Sequence, residues 1–215
     1  MSYTDQDKFF ARAYRTGTDH WTNIPFKRRA HELTLYLPKD SFILDLGTGR
    51  GKLLFDLADL GFRAIGLENN EELIERGNSE IKARGLDASL RFFQGTALNI
   101  PLADQSFDAL VDVGLLQHIL PADYPTYVSE ATRVLKQGGY FYLVVLSKKT
   151  PHHFSWHPSK SEKADFELEG VNYHFFSDDE IRMLFEKNFE IKHIDYDMPH
   201  GPQEAHYAIV LLKKK

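Results

Sequence analysis

The stretch Ile43 to Gly51, reading Ile-Leu-Asp-Leu-Gly-Thr-Gly-Arg-Gly, constrains this chain more than any other. A short apolar run, a Gly-x-Gly-x-Gly turn and the helix-favouring Lys52 to Leu60 spell buried strand, tight loop and helix start. Glycines let backbone come close to a ligand that any Cβ would strike, and a helix start presents free N–H groups and positive potential. The unit reads as a cofactor corner.

Around it the chain alternates strands and helices. A helical period in Phe9, Phe10, Ala13 and Tyr14, and again in Ala30, Leu33 and Leu37, predicts two helices ahead of the sheet. Between them, Thr16 to Pro25 is a loop that could fold over a ligand. Strands are expected at Ser41 to Leu46, Phe62 to Leu67, Leu90 to Gln94, Phe107 to Val113 and Tyr140 to Leu146. The fourth is almost wholly apolar, as a central parallel strand buried on both faces would be. Gly61 and Gly85 stand where helices stop, Asn69 with Glu72 and Ser177 with Glu180 have capping-box spacing, and Pro125 sits in a first turn. Residues 148–176 show no period and read as a loop or lid. Phe189 to Tyr196 and His206 to Leu212 are expected to close the sheet through a turn at Pro199 to Pro202. The fold class that follows is α/β: Rossmann-like, doubly wound, a mostly parallel seven-stranded sheet with an antiparallel last strand. Its ligands belong beyond the C-terminal strand ends, where Asp45 to Gly51, Glu68, Thr96-Ala97 and Val113 to His118 converge.

At 215 residues the chain is expected to form one domain, residues 1–215. Within it, 1–38 is a helical cap, 39–147 the cofactor-binding core, 148–176 the lid and 177–215 the closing helix and strands. A net charge of −5 argues against a broad nucleic-acid face. No apolar run is long enough to span a membrane, Met1 to Phe10 lacks a signal-peptide pattern, and cysteine is absent. A cytoplasmic setting, without membrane or nucleic-acid partners, is therefore expected. The sequence leaves the oligomeric state open.

The motifs resemble the class I S-adenosylmethionine-dependent methyltransferases. Leu44 to Gly51 matches their D-x-G-x-G-x-G pattern and Glu68 their acidic ribose ligand. Gln94 to Ala97 with Ile100 to Asp108 is similar to their G-D-A…L-P-F-x-D-x-S-F-D segment, and Arg133 to Gly139 to their R-V-L-K-P-G-G turn. These motifs fall in order between Phe42 and Leu146. The resemblance implies S-adenosyl-L-methionine as cofactor, held by Asp45, Gly47, Thr48, Gly49, Gly51, Glu68, Asn69, Thr96, Ala97 and Val113. One departure is Thr96, where the family usually has an Asp for the adenine amino group. Nicotinamide dinucleotide binding fits less well, because Gly51 comes one residue too early for G-x-G-x-x-G.

For the chemistry, Asp112 and His118 are the candidate catalytic residues; Asp112 could equally cap a loop, and His118 could simply start a helix. Tyr14 and Trp21 could cover donor or acceptor through cation–π contact, or pack the N-terminal helices. Asp112 to Leu116, and Tyr14 to Gly17 with Trp21 and Pro25, are similar to stretches of thiopurine- and tellurite-resistance methyltransferases, with Val113 where those carry Arg. That points to a soft thiol or chalcogen acceptor. No metal site is expected from His152, His153, His157 and His174, which lack a ligand pattern. The expected activity is methyl transfer to a small molecule. The alternatives are a non-catalytic S-adenosylmethionine-binding partner protein, or an enzyme acting on protein or RNA.

Overall fold

The computed structural model describes residues 3–19, 26–150, 165–197 and 205–215. Two helices, α1 (Tyr3–Thr16) and α2 (Phe26–Thr34), precede the alternating core. That core runs β1 (Phe42–Leu46), α3 (Lys52–Asp59), β2 (Arg63–Glu68), α4 (Glu71–Ala83), β3 (Leu90–Gln94), β4 (Phe107–Val113), α5 (Tyr124–Val134) and β5 (Leu135–Leu146). A hairpin, β6 (Asp165–Leu168) and β7 (Val171–His174), follows, then α6 (Asp178–Phe185), β8 (Phe189–Asp197) and β9 (Tyr207–Lys214).

The sheet has the order β3-β2-β1-β4-β5-β9-β8. The first five strands are parallel, and β9 runs antiparallel to both β5 and β8. Alternation along the central strands sends Leu44, Leu46 and Leu110 to one core and Ile43, Ala109 and Val111 to the other, so both faces of β1 and β4 are covered. The switch in strand order lies between β1 and β4, which places the ligand crevice above their C-terminal ends.

Helix ends follow local chemistry. At the end of α3, Gly61 N–H donates to Ala58 O and Phe62 N–H to Leu57 O, with Gly61 left-handed at φ 88°; α4 ends in the same way at Gly85. Ser177 and Glu180 form the expected capping box of α6. The cap of α4 is one residue later than the sequence reading: Asn70, not Asn69, accepts from Leu73 N–H at 3.2 Å. Arg133 donates to Ile100 O, Leu102 O, Asp104 and Glu130, fixing the segment between β3 and β4 on α5.

Within 148–176, expected as loop or lid, the described residues 165–176 form β6 and β7 around a two-residue turn, Glu169-Gly170, with φ 51° and 81°. Phe176 N–H donates to Leu146 O and Lys148 N–H to Phe176 O, so the hairpin stands at the C-terminal end of β5. Trp21, His152, His153, His157 and the turn at Pro199 to Pro202 lie outside the described residues. No helix among the described residues is long and apolar enough to cross a membrane.

Phe92 on β3 lies flat against α4, and a Cβ at Gly77 would come within 2.3 Å of its ring. Gly77→Ala should therefore lower stability by about 1–2 kcal/mol, overpacking at the upper end of its range, roughly 2–3 kcal/mol for contacts this short, less about 1 kcal/mol of gained helix propensity. Urea denaturation reads this as a lower midpoint with unchanged slope; an unchanged midpoint would contradict the packing.

Candidate active site

The loop between β1 and α3 carries three left-handed glycines, Gly47, Gly49 and Gly51, at φ 69°, 55° and 73°. A side chain at any of them would be strained. Gly47 and Thr48 N–H both donate to Leu67 O, Gly51 N–H to Thr48 O, and Thr48 Oγ1 to Asp45 Oδ2 at 2.6 Å. The loop thus folds over the end of β2, where Gly66 leaves room for the Thr48 side chain.

Glu68, at the end of β2, closes the corner. Its Oε2 accepts from Gly49 N–H at 2.9 Å, and its Oε1 accepts from Asn69 and Asn70 N–H at 3.0 Å each. Burial raises its pKa above the ordinary carboxylate value, and the three N–H groups work against that rise. Two more carboxylates are buried at neighbouring strand ends. Burial pushes Asp45 up to about 7, opposed by the Thr48 hydrogen bond and reinforced by the charges of Asp112 and Glu68. Asp112, with no exposed surface, is pushed by burial up to about 6. Among the described residues none of the three forms an ion pair, so the crevice is electronegative.

Helix α1 is the roof. Asp7, Phe10, Ala11 and Tyr14, on one helical face, line a cavity of about 170 Å³ together with Glu68, Asn69 and Asn70. A Cβ at Gly49 would fall 2.6 Å from the Tyr14 hydroxyl. Asn69 Nδ2 donates to Asp7 Oδ1 at 2.8 Å. The helix is strapped at both ends. At its start, Tyr3 donates to Asp123 and accepts from Leu120 N–H, while Gln6 donates to His118 O and accepts from Asn172 N–H. At its end, Arg50 donates to Tyr14 O at 2.6 Å and forks onto the buried Asp19.

The structure brings Tyr14, Gly49, Glu68 and Asn69 together with Asp45, Gly47, Thr48 and Gly51 close by in the same loop. Thr96 is exposed after β3 and bridges to Asn99, Ala97 is buried beside it, and Val113 is half-buried at the end of β4 opposite Val144. None of these three lines the cavity beneath α1. Asp112 accepts from Leu115 and Leu116 N–H and from the Tyr127 hydroxyl at 2.7, 3.0 and 2.5 Å. His118 donates from Nδ1 to Asn172 O at 2.7 Å, and its Nε2 meets the Gln117 amide at 3.3 Å. Its ring lies edge-on between Phe10 and Tyr173, and burial depresses its pKa to about 4, so it is neutral. Both side chains hold the turn after β4 in place, and His118 stands at the end of the short 3-10 turn Leu116–His118 and not at a helix start. Asp7, Phe10 and Arg50 were not singled out from sequence. A stripe at 7, 10, 11 and 14 is visible there, but not what it faces.

Residues 43–139 match the family described as methyltransferase domain. An uncharacterized methyltransferase of Bacillus subtilis is 34% identical over 102 residues, 47% of this chain and 39% of that protein. The demethylmenaquinone methyltransferase of Lactobacillus johnsonii is 33% identical over 139 residues, 62% of this chain and 53% of that protein. The chain thus spans about half, or less, of these curated relatives. Among solved structures, the 1,6-didemethyltoxoflavin-N1-methyltransferase of Burkholderia thailandensis, with 1,6-didemethyltoxoflavin and S-adenosylhomocysteine bound, superposes with a TM-score of 0.81 at 22% identity. That alignment covers 99% of this chain and 88% of the other, and at this identity the likeness establishes the fold.

A carboxylate raised on folding binds its proton more tightly in the native than in the unfolded chain, so stability falls as pH rises from the unfolded value towards the folded one. For Asp45 this window runs from roughly 4 to about 7. His118, depressed to about 4, acts in the opposite sense between roughly 4 and 6.5, but equally in wild type and variant. The Tm of Asp45→Asn relative to wild type should therefore climb from pH 5 towards pH 7 and then level off. A difference independent of pH would contradict the assigned burial of Asp45.

Proposed function

We propose that this protein transfers a methyl group from S-adenosyl-L-methionine to a small-molecule acceptor. The observation that carries the reading is the Glu68 corner: a glycine loop no Cβ would fit, pinned to a buried carboxylate and roofed by aromatic side chains, within residues that match the family. Gly47, Thr48, Gly49 and Gly51 supply the close-approach backbone, Glu68 the acceptor for the two ribose hydroxyls, and Asn69, Ala97 and Val113 adjoining surface. Thr96 offers a neutral oxygen in place of the family's Asp. Three buried carboxylates without ion-pair partners among the described residues favour a cationic ligand over the same ligand stripped of its charge.

When bound, the cofactor supplies an electrophilic methyl group for in-line displacement. The chain's own contribution is positional. Strand ends and loop hold the donor, α1 excludes water, and β7 with the turn after β4 shapes the acceptor side. In well-oriented systems such positioning is worth on the order of 7–11 kcal/mol. Asp112 and His118 act by holding that turn rather than by moving protons, because the polar atoms of both are engaged. This suits a nucleophile that attacks without surrendering a proton to the protein, in keeping with a soft thiol or chalcogen acceptor. The named relatives, acting on demethylmenaquinone and on 1,6-didemethyltoxoflavin, support an acceptor of small-molecule size. We read 1–215 as one domain, divided as the sequence suggested, in a cytoplasmic setting.

Calorimetry with S-adenosylmethionine, S-adenosylhomocysteine and NAD tests the cofactor. The first two should bind and NAD should not, and Glu68→Ala should weaken binding at least tenfold by removing a charged hydrogen bond. Binding of NAD alone would overturn the reading. Methyl transfer is tested with labelled donor and fractionated small metabolites, proteins and RNA; label confined to protein or RNA would overturn the small-molecule acceptor.

A further inference from the structure

Two backbone groups on the acceptor side find their partner in a third element. Gln6 on α1, 3% exposed, accepts from Asn172 N–H of β7 at 2.8 Å through Oε1 and donates to His118 O, in the turn after β4, at 3.1 Å through Nε2. An amide is needed for this. A carboxylate in its place could not donate, and an apolar side chain could do neither, leaving the buried Asn172 N–H without a partner. Asn172 and the turn are also bonded to each other, Asn172 O accepting from His118 Nδ1 at 2.7 Å and Asn172 Nδ2 donating to Ile119 O at 3.3 Å. Gln6 therefore grips two parts of one wall.

The same helix serves the donor cavity. Asp7 is the next residue along, and Phe10, one turn on from Gln6, lines the cavity while its ring meets His118 edge-on at 5.2 Å between centroids. One face of α1 thus looks onto the corner of Glu68 and the adjoining face holds β7 to the turn. We propose that Gln6 is a positioning residue through which a donor seated against α1 sets the place of β7 and the turn after β4, so that the acceptor wall is completed once the donor has bound. This rests on the donor reading above and adds an order to it, donor first and acceptor second. The physical reason is shared support. Contacts that fix one face of a helical turn fix the other, and two sites that bias one rigid element are coupled.

The test is amide hydrogen exchange of the full chain, read by NMR with and without saturating S-adenosylhomocysteine, in wild type, Gln6→Met and Tyr3→Phe. Met is close to Gln in size and removes both hydrogen bonds, whereas Tyr3→Phe cuts the neighbouring strap to Asp123 and Leu120 and leaves Gln6 in place. The reporters are His118 N–H, which donates to Leu115 O, and Phe176 N–H, which donates to Leu146 O at the end of the hairpin. Neither is bonded to Gln6. In wild type the ligand should slow exchange at both reporters and at Phe10 of α1, each about tenfold, the size of a typical coupling. In Gln6→Met the slowing at Phe10 should remain and that at the reporters should vanish; in Tyr3→Phe all three should remain. A purely structural Gln6 would lower protection of the reporters equally with and without ligand, and slowing that persists in Gln6→Met would overturn the inference. Loss of the slowing in Tyr3→Phe as well would take the role from Gln6. Bound ligand that leaves the wild-type reporters unchanged would overturn the inference even if Gln6→Met fails to fold. In each of these cases the donor reading stands, whereas a wild type that does not bind the ligand overturns that reading and the inference with it.

Discussion

One buried carboxylate organises this protein's functional end. Glu68 receives the backbone N–H of Gly49 across the crevice and those of Asn69 and Asn70 beside it. It thereby ties the glycine loop to the end of β2 and to the start of α4. A loop with three residues in left-handed conformation has little intrinsic reason to hold one shape. Three hydrogen bonds to one charge supply that reason, and each is stronger than a neutral equivalent. The same charge is what a ligand rich in hydroxyl groups needs. Structure and recognition thus draw on a single group.

Burial of like charges shapes the rest of the site. Asp45, Glu68 and Asp112 stand at the ends of three neighbouring strands, held among the described residues by hydroxyl and backbone donors and not by cations. Such an arrangement disfavours the ionised apo protein and favours a positively charged ligand. On the acceptor side the polar atoms are turned inward. Asp112 is engaged by Leu115, Leu116 and Tyr127, and His118 by Asn172 and Gln117, so both side chains tie the turn after β4 to its surroundings.

Much of this was legible in the sequence, because its signals are local. Period-two and continuous apolar runs located the strands, and glycines with left-handed requirements marked the loop and the ends of α3 and α4. Strand alternation with helices implied the parallel sheet, and Glu68 was placed by its spacing from Gly51. The misses have physical causes. Asn69 and Asn70 are both capping residues, and only geometry shows that Asn70 accepts from Leu73. The β6–β7 hairpin turns on Glu169-Gly170, which lacks the usual Asn-Gly signal, and its strands are short. The helical period of α1 announced a helix, yet what its cavity face meets lies more than fifty residues away, at Glu68 to Asn70, and Phe9 and Phe10 pack on the still more distant hairpin. No local pattern encodes that pairing. For Asp112 and His118 residue type allowed both a chemical and a structural role, and their hydrogen-bond partners come from α5, β7 and backbone, which no local pattern shows.

The central claim, that Glu68 pins the donor corner, is tested most directly by amide hydrogen exchange, read residue by residue by NMR in wild type and Glu68→Gln. The account predicts that protection of Gly49, Asn69 and Asn70 drops selectively in the variant, while the amides of β1 and β4 keep theirs. Unchanged protection at those three amides would contradict it.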